Sequence, residues 1–294
     1  MSNQPRVTSQ PTKGYFATNQ GEVMKETLIK HCYGWKPSPP DQRDHIFAAQ
    51  PRVVAALPPM VDLDATPIPI FDPCWDQSAL GSCGPNSLCE NIVYDIKTDP
   101  TLAAKMKMMP SRLFSYYVTR MLMGTVNQDS GVDNRTMLKA AAQFGWCDAS
   151  LWPYNIKNFA KQPPRAAFVA AQNRKISQYL SVPQDLQTMK ACLAGNSQFG
   201  IKGRPFIFGF TVYESFESQQ VATTGIVPLP GPNESVLGGH DITVVGYNDA
   251  TQMFKMKNHW NPNWGYHGYC FMPYAYAINP KLSGDFWTVI TSPF

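Results

Sequence analysis

One cysteine of the sequence stands where a helix is predicted to begin. In DQSALGSCGPNSLCENI, residues 76–92, Cys83 follows small residues and precedes Pro85 and an amphipathic run. A thiol in the first turn of a helix faces unpaired backbone N–H groups and the positive end of the helix dipole, which favour the thiolate. A buried cysteine in a glycine-flanked turn is also an ordinary small hydrophobic residue. This stretch alone leaves both interpretations of Cys83 open.

A base for such a thiol has to come from one of five histidines. His31 and His45 lie in a proline-rich arm, where we expect solvated positions, and His267 lies in a turn. His240 differs because it opens an apolar strand, GGHDITVVGY, where its ring can project into a cleft. His259 lies at a predicted strand end. A lone histidine is more often a hydrogen-bonded structural residue, so single histidines do not establish catalysis.

The elements that must position these residues are helices in the first part and strands in the second. Leu88, Ile92 and Ile96 repeat at four-residue steps, and the runs PSRLFSYYVTRML and DNRTMLKAAAQFG are also amphipathic. From residue 205, short β-branched or aromatic runs between Gly, Asn and Pro turns predict strands: PFIFGFTVY, HDITVVGY, QMFKMKN, YCFMPY and FWTVI. This order predicts an α+β fold with a cleft between the two parts.

The first 57 residues are rich in Pro, Gln and Ser and predict an extended arm with one short helix at GEVMKETLIKH. The arm carries apolar side chains, so we expect part of it to dock on the body: Tyr15, Phe16, Leu28, Ile29, Tyr33 and Trp35. It either covers an apolar patch or crosses the cleft near Cys83, with CYGWKPSPP as its anchor. Residues 58–294 form the predicted domain, with a helical lobe at about 75–195 and a β-rich lobe at about 196–294.

Composition and charge exclude several classes of partner. The formal charge is 25 − 21 = +4 with scattered basic residues, so we expect no nucleic-acid binding. No apolar run approaches the length of a membrane span, and the start lacks the layout of a secretory signal, so we expect a leaderless, cytoplasmic chain with no membrane partner. The seven cysteines are widely spaced and odd in number. They predict mostly free thiols and no metal or cofactor.

Three blocks of the sequence resemble the signature blocks of the papain-like cysteine peptidases: DQSALGSCG, GGHDITVVGY and KNHWNPNWGYHGY. They occur in the order and with the neighbours that this family has. DSGVDNR, GWCDASLWPYN, PFIFGFTVYESF and TGIVPLP extend the match toward the leaderless members of bacteria, archaea and large DNA viruses. The resemblance runs from about residue 58 to the C-terminus. It implies a two-lobed α+β fold with a helical left lobe, and a right lobe built on an antiparallel sheet or barrel.

The resemblance also implies a role for each matching residue. Cys83 is the expected nucleophile, His240 the general base and acid, Asn258 the orienter of the imidazole, and Gln77 the oxyanion donor. Trp260 is expected either to cover the His240–Asn258 hydrogen bond or to be a plain core residue. The resemblance further implies substrate contacts at Gly81, Ser130, Gly131, Gly239, Asp241 and Trp260.

Four positions depart from the family pattern. Gly84 stands where an aromatic residue usually follows the nucleophile, which would open that side of the cleft. Leu80 replaces a cysteine of the secreted disulfide pattern. His259 replaces the commoner serine, and we expect it to be a bystander because a strand pleat would point it away from Asn258. Asp241 replaces a small pocket residue; it would favour a basic or polar substrate group, or simply face solvent.

The expected function is therefore a cysteine endopeptidase or processing peptidase that acts through an acyl-enzyme on a peptide or protein substrate. The arm would act as an intramolecular inhibitory segment, as in a zymogen. One alternative is an acyl transferase or peptide ligase on the same site, in which an amine outcompetes water. The other is a non-catalytic binding protein that retained the fold.

Overall fold

Helices dominate the first part of the chain, as the sequence pattern predicts. The structure is a computed structural model that describes residues 31–65, 70–71, 74–105 and 108–291. The α-helices are α1 (Pro51–Val54), α2 (Cys83–Thr98), α3 (Pro100–Lys105), α4 (Arg112–Met123), α5 (Asn134–Phe144), α6 (Arg165–Gln172), α7 (Leu186–Ala194), α8 (Gln219–Thr224) and α9 (Tyr274–Ala277). The predicted helix at residues 21–31 lies almost wholly outside the described residues. None of the described helices is long and apolar enough to cross a membrane.

Local capping signals explain where two of these helices begin. The Ser111 side chain accepts a hydrogen bond from the Phe114 N–H at the start of α4, and Asp133 accepts one from Thr136 at the start of α5. Helix α5 ends at Gly145, whose φ of 76° is one that side-chain-bearing residues rarely adopt. Serine, aspartate and glycine thus set the bounds of the helices that flank α2.

Strands dominate the second part, and all but two of the described strands join in one open sheet. The strands are β1 (Trp35–Lys36), β2 (Met60–Asp62), β3 (Val132–Asp133), β4 (Ile176–Ser181), β5 (Phe206–Tyr213), β6 (Val236–Asn248), β7 (Met253–Lys257), β8 (Tyr269–Pro273) and β9 (Ser283–Thr291). The sheet has seven antiparallel strands in the order β4-β9-β5-β6-β7-β8, with β2 on the end of β6. Within the described residues it does not close into a barrel.

The sheet separates two hydrophobic cores because neighbouring residues of a strand point to opposite faces. In β5, Phe206, Phe208 and Phe210 pack into the core of the β-rich part, whereas Ile207 packs against the helices. The helical core also receives Trp287 from β9. Helix α2 is buried along almost its whole length between these helices and the sheet. This burial fixes its N-terminus next to β6.

Backbone hydrogen bonds join the chain between residues 31 and 65 to the rest of the described structure at three places. Strand β1 pairs in parallel with β3. The Phe47 N–H donates to the Ser181 carbonyl, and the Ser181 N–H donates to the His45 carbonyl, both at 2.8 Å. Strand β2 pairs with β6. The expected division into an arm and two lobes stays a prediction, and β4, inside the predicted helical lobe, belongs to the sheet.

Candidate active site

Cys83 is the first residue of α2 and is fully buried. Burial penalises the thiolate and raises the pKa of this thiol to about 12, and the nearby Asp241 carboxyl acts in the same direction. Hydrogen bonds with the backbone of Asp241, Gly34 and Gly84 act in the opposite direction. Position 83 therefore has the helix terminus expected of an activated thiol, but the closed site keeps the thiol protonated.

His240 lies on β6 and holds a defined tautomer. Its Nε2 is 2.9 Å from Oδ1 of Asn258, and this oxygen also accepts the His259 N–H at 2.9 Å. Because Oδ1 only accepts, Nε2 carries the hydrogen and Nδ1 is the basic atom. Nδ1 makes no hydrogen bond within the described part of the chain. Burial lowers the pKa of His240 to about 4, and the hydrogen bond that His240 donates to Asn258 acts in the opposite direction.

The Trp260 indole covers this histidine. It is 1% exposed, and its ring centroid lies 4.8 Å from that of His240. The Trp260 position therefore agrees with a cover over the His240–Asn258 pair, and the same ring belongs to the hydrophobic core of the β-rich part. Both expectations for Trp260 describe the same packing.

Gln77 lies just before α2 and is held at every polar atom of its amide. Its Nε2 donates to the carbonyl oxygens of Leu80 and Cys32, both at 2.9 Å. Its Oε1 lies 2.8 Å from Nδ1 of His259, and its backbone N–H donates to the His259 carbonyl. One Nε2–H of Gln77 thus points at a peptide carbonyl, which is the geometry that an oxyanion donor needs.

The expected substrate contacts lie on both sides of Cys83. The Gly81 N–H donates to Asp129 at 3.0 Å, and the Gly131 N–H donates to the Tyr116 hydroxyl at 3.2 Å. The Ser130 hydroxyl lies 2.8 Å from that of Thr125. The side chains of Asp129, Tyr116 and Thr125 thus hold these three residues in place. Gly81 and Gly131 are both buried, and their substrate roles stay predictions.

Asp241 does not face solvent, contrary to one expectation, because it is fully buried. Its side chain lies near Ser87 and Asn134, and burial raises the pKa of its carboxyl well above the ordinary value. Gly239, two residues before it, lies against the arm: a Cβ there would be 2.6 Å from the Trp35 carbonyl oxygen. The substrate roles of Gly239 and Asp241 stay predictions.

Residues 31–38, the docked segment, run along the candidate site. A Cβ on Gly34 would lie 2.0 Å from the Gly81 carbonyl oxygen, so only glycine permits this approach. The Gly34 carbonyl accepts the Val132 N–H at 2.8 Å. The Cys32 carbonyl accepts from Gln77, as described above. The segment therefore contacts the oxyanion donor and the loop beside Cys83.

Three side chains of the docked segment fill pockets of the body. The Trp35 ring occupies the space where a Cβ on Gly209 would lie, at 1.8 Å, and its Nε1 donates to Asp285 at 3.2 Å. The Tyr33 hydroxyl donates to Glu217.

The third side chain is His31, which is not the solvated residue that the sequence predicts. Its ring stacks on Trp260 at 3.7 Å between centroids, and its Nδ1 lies 3.0 Å from Glu217. The docked segment therefore contacts Trp260, which covers His240, as well as Gln77.

Sequence reasoning missed three of these residues and misplaced His259 as well as His31. Asp129 lies in a loop, Glu217 ends a 3-10 helix and Asp285 lies near the start of β9, and no motif marks them. His259 does not point away from the site, because residues 258–260 lie beyond the end of β7 and the strand pleat does not apply to them. Asn258 and His259 instead occupy consecutive positions of a loop that contacts both His240 and Gln77.

The arrangement combines a helix-terminal thiol, an imidazole with a free basic nitrogen, and an amide donor aimed at a carbonyl oxygen. Such a set suits acyl transfer through a covalent thioester. Among the described residues, no group of three or more His, Cys, Asp or Glu side chains is arranged to hold a metal ion.

A model of the papain family cysteine proteases matches residues 123–281, a range that includes His240 and Asn258 and begins after Cys83. An uncharacterized peptidase C1-like protein of Acanthamoeba polyphaga mimivirus is 32% identical over 293 residues, covering 92% of this chain and 91% of that protein. The chain belongs to the papain family of cysteine proteases. It is thus a cysteine-type peptidase, a hydrolase of peptide bonds.

Solved structures agree with this family. Xylellain, a cysteine protease from Xylella fastidiosa, is 36% identical with a TM-score of 0.77, over 88% of this chain and 96% of that one. Procathepsin B S9 of Trypanosoma congolense is 16% identical with a TM-score of 0.64, over 89% of this chain and 87% of that one. The second likeness supports the papain-like fold of this protease.

Proposed function

We propose that this papain-family protease is an endopeptidase in which Cys83, His240, Asn258 and Gln77 carry the reaction. The observation that carries the assignment is the His240–Asn258 hydrogen bond, which leaves Nδ1 of His240 basic beside the N-terminus of α2. Nδ1 takes the thiol proton, the sulfur attacks the carbonyl carbon, and the imidazolium returns the proton to the leaving amine as the C–N bond breaks. Water then hydrolyses the thioester, with the same imidazole as base.

Gln77 would stabilise the negative oxygen that forms during the attack. Its Nε2 already donates to a peptide carbonyl, that of Cys32, at 2.9 Å. A fixed donor of this kind stabilises the transition state of acyl transfer by roughly 3 kcal/mol. The Cys32 carbonyl supports the role because it shows that this N–H can reach the oxygen of a peptide bond.

We further propose that the docked segment inhibits the enzyme. Two observations support this: residues 32–35 contact Gln77, Gly81 and Val132, and Cys83 and His240 are both fully buried. Burial holds the thiol and the imidazole neutral, whereas attack needs the thiolate. Tethering keeps such a segment at roughly millimolar effective concentration.

A glycine substitution tests the inhibition. Gly34→Ala places a Cβ 2.0 Å from the Gly81 carbonyl and should expel the segment. We expect kcat/KM on a peptide substrate to rise about tenfold or more, which corresponds to a lost contact of about 1.4 kcal/mol. Gly231→Ala is the matched control, because its Cβ would meet only the Glu234 side chain, at 3.3 Å or more. Unchanged kinetics in Gly34→Ala would exclude inhibition by this segment.

Substitutions in the Gly34→Ala background test the mechanism. Cys83→Ser and His240→Ala should abolish turnover, while Asn258→Ala and Gln77→Ala should leave measurable activity, because they lower a barrier without forming the bond. Cys89→Ser, from the same helix, is the control. A Cys83→Ser protein that still cleaves peptides rules the mechanism out. Product analysis with an added amine reports whether an amine outcompetes water.

A further inference from the structure

His259 is fully buried and bonded to the amide that we propose as the oxyanion donor. Its Nδ1 lies 2.8 Å from Oε1 of Gln77. The other end of that amide faces the carbonyl oxygens of Leu80 and Cys32, which only accept hydrogen bonds. The amide nitrogen must therefore face these carbonyls, Oε1 must face the imidazole, and Nδ1 of His259 must carry a hydrogen.

The second nitrogen of this imidazole is held from the helix that carries Cys83. Nε2 of His259 lies 3.2 Å from the Ser87 hydroxyl, and Ser87 lies four residues after Cys83, on the same face of α2. Burial lowers the pKa of His259 well below its ordinary value, and the nearby His240, Arg112 and Lys257 act in the same direction. The ring is therefore neutral, and Nε2 accepts the Ser87 hydroxyl hydrogen.

We infer that His259 is a positioning residue for the reaction, which directs the Gln77 Nε2–H at the oxygen of the scissile carbonyl. This inference rests on the proposed function, in which Gln77 stabilises that oxygen. Without the Nδ1–H donor, Oε1 of Gln77 is a buried acceptor with no partner, and the amide rotates away to find another. Donation to Oε1 also polarises the amide, so its N–H becomes a stronger donor to the oxyanion.

Two substitutions at this position separate the donor from the ring. His259→Leu removes the hydrogen bond and fills the space, whereas His259→Asn keeps an N–H near the position of Nδ1. In the Gly34→Ala background, we expect His259→Leu to lower kcat by about tenfold or more, up to the 10²–10³-fold that loss of an oxyanion donor costs. We expect KM to change little, and His259→Asn to recover most of kcat.

A double substitution tests whether His259 acts through Gln77. If it does, Gln77→Ala with His259→Leu should be no slower than Gln77→Ala alone. Losses of kcat that multiply in the double variant would overturn the inference, as would a normal kcat in His259→Leu.

Folding is checked by thermal melting. If His259→Leu does not fold, Ser87→Ala, which removes the hydroxyl from Nε2, replaces it in the same cycle with the same two outcomes. The proposed function fails separately, if Gln77→Ala has normal kcat or Cys83→Ser stays active. A slow Gln77→Ala beside normal His259 variants overturns the positioning role alone.

Discussion

At the scale of single residues, Cys83 and His240 are both neutral in the closed site. Burial raises the pKa of Cys83 to about 12 and lowers that of His240 to about 4. Between these values the proton stays on sulfur, so the proposed nucleophile and the proposed base are not an ion pair in the closed site. Solvent entry, or the carbonyl of a true substrate, has to change this balance before attack.

Thiol reactivity should report the change. In Gly34→Ala, exposure of the Cys83 thiol lowers its pKa, and we expect its alkylation by iodoacetamide at pH 7 to be about tenfold faster than in the unsubstituted chain. Cys89 should stay unlabelled in both proteins, because it is fully buried within the helical part. Peptide mass spectrometry measures both rates. Comparable labelling of Cys83 and Cys89 would contradict the assignment of Cys83.

The three sequence blocks and the family resemblance they carry predict roles for Cys83, Gln77, His240 and Asn258, and these roles stay predictions. The blocks were not enough for His259, because its role depends on where β7 ends, and one residue more of strand would have turned the ring away. Asp285 contacts Trp35, which lies 250 positions earlier. A contact between residues so far apart leaves no periodic or motif signal in one sequence.

At the scale of elements, the sequence predicted the helices but not how residues 31–38 dock on the body. The apolar period predicts α4 and α5, and β-branched or aromatic runs between turn residues predict β5 and β6. Strand β4 was missed because its side chains are mostly half-buried or exposed and its partner is the last strand of the chain. The path of the docked segment depends on a close approach between Gly34 and Gly81, which no local pattern contains.

Glu217 should make the docking of this segment sensitive to acid. Burial by itself would raise the pKa of its carboxyl, but hydrogen bonds from His31 and Tyr33, together with the nearby His240, hold it below the ordinary value. A lowered pKa means that the ionised carboxylate stabilises docking above the ordinary pKa, and that this contribution is lost as the pH falls through the lowered one.

We therefore expect the ratio of kcat/KM between the unsubstituted chain and Gly34→Ala to rise toward one as the pH falls through the lowered pKa of Glu217. Glu217→Gln should raise this ratio at pH 7 and flatten its pH dependence. Glu214→Gln, an exposed neighbour, is the control. Because both proteins have the same reacting groups, the ratio of their kcat/KM values cancels the pH dependence of the catalytic steps. A ratio that does not change between pH 7 and acid would dismiss Glu217 as an anchor.

At the scale of the whole molecule, one buried carboxyl outside the reaction should govern stability. Glu90 lies on α2 and is 3% exposed, and burial raises its pKa from 4.5 to about 8, against the opposing charge of Lys257. The folded protein therefore keeps a proton that the unfolded chain releases. The free energy of unfolding should fall as the pH rises from about 4.5 to about 8, by an amount on the order of a few kcal/mol.

Glu90→Gln should remove the Glu90 contribution to this slope, because the amide does not titrate, whereas the buried Asp241 carboxyl keeps its own contribution in both proteins. We expect the variant to gain stability relative to the unsubstituted chain between pH 5 and pH 8, as measured by urea unfolding at both values. An equal loss of stability in both proteins over this interval would show that other groups cause the pH dependence.

The hydrogen bonds between residues 45–47 and Ser181, and the pairing of β2 with β6, bind the chain to the body just after the docked segment. The proposed inhibitory segment and the enzyme are therefore parts of one molecule, and their encounter would be first order. Dilution of the intact chain leaves the fraction of blocked sites unchanged, whatever its concentration. A single cut at residues 39–44 would turn the same contacts into a bimolecular equilibrium. The dissociation constant of the released peptide and its concentration would then set the fraction of active enzyme.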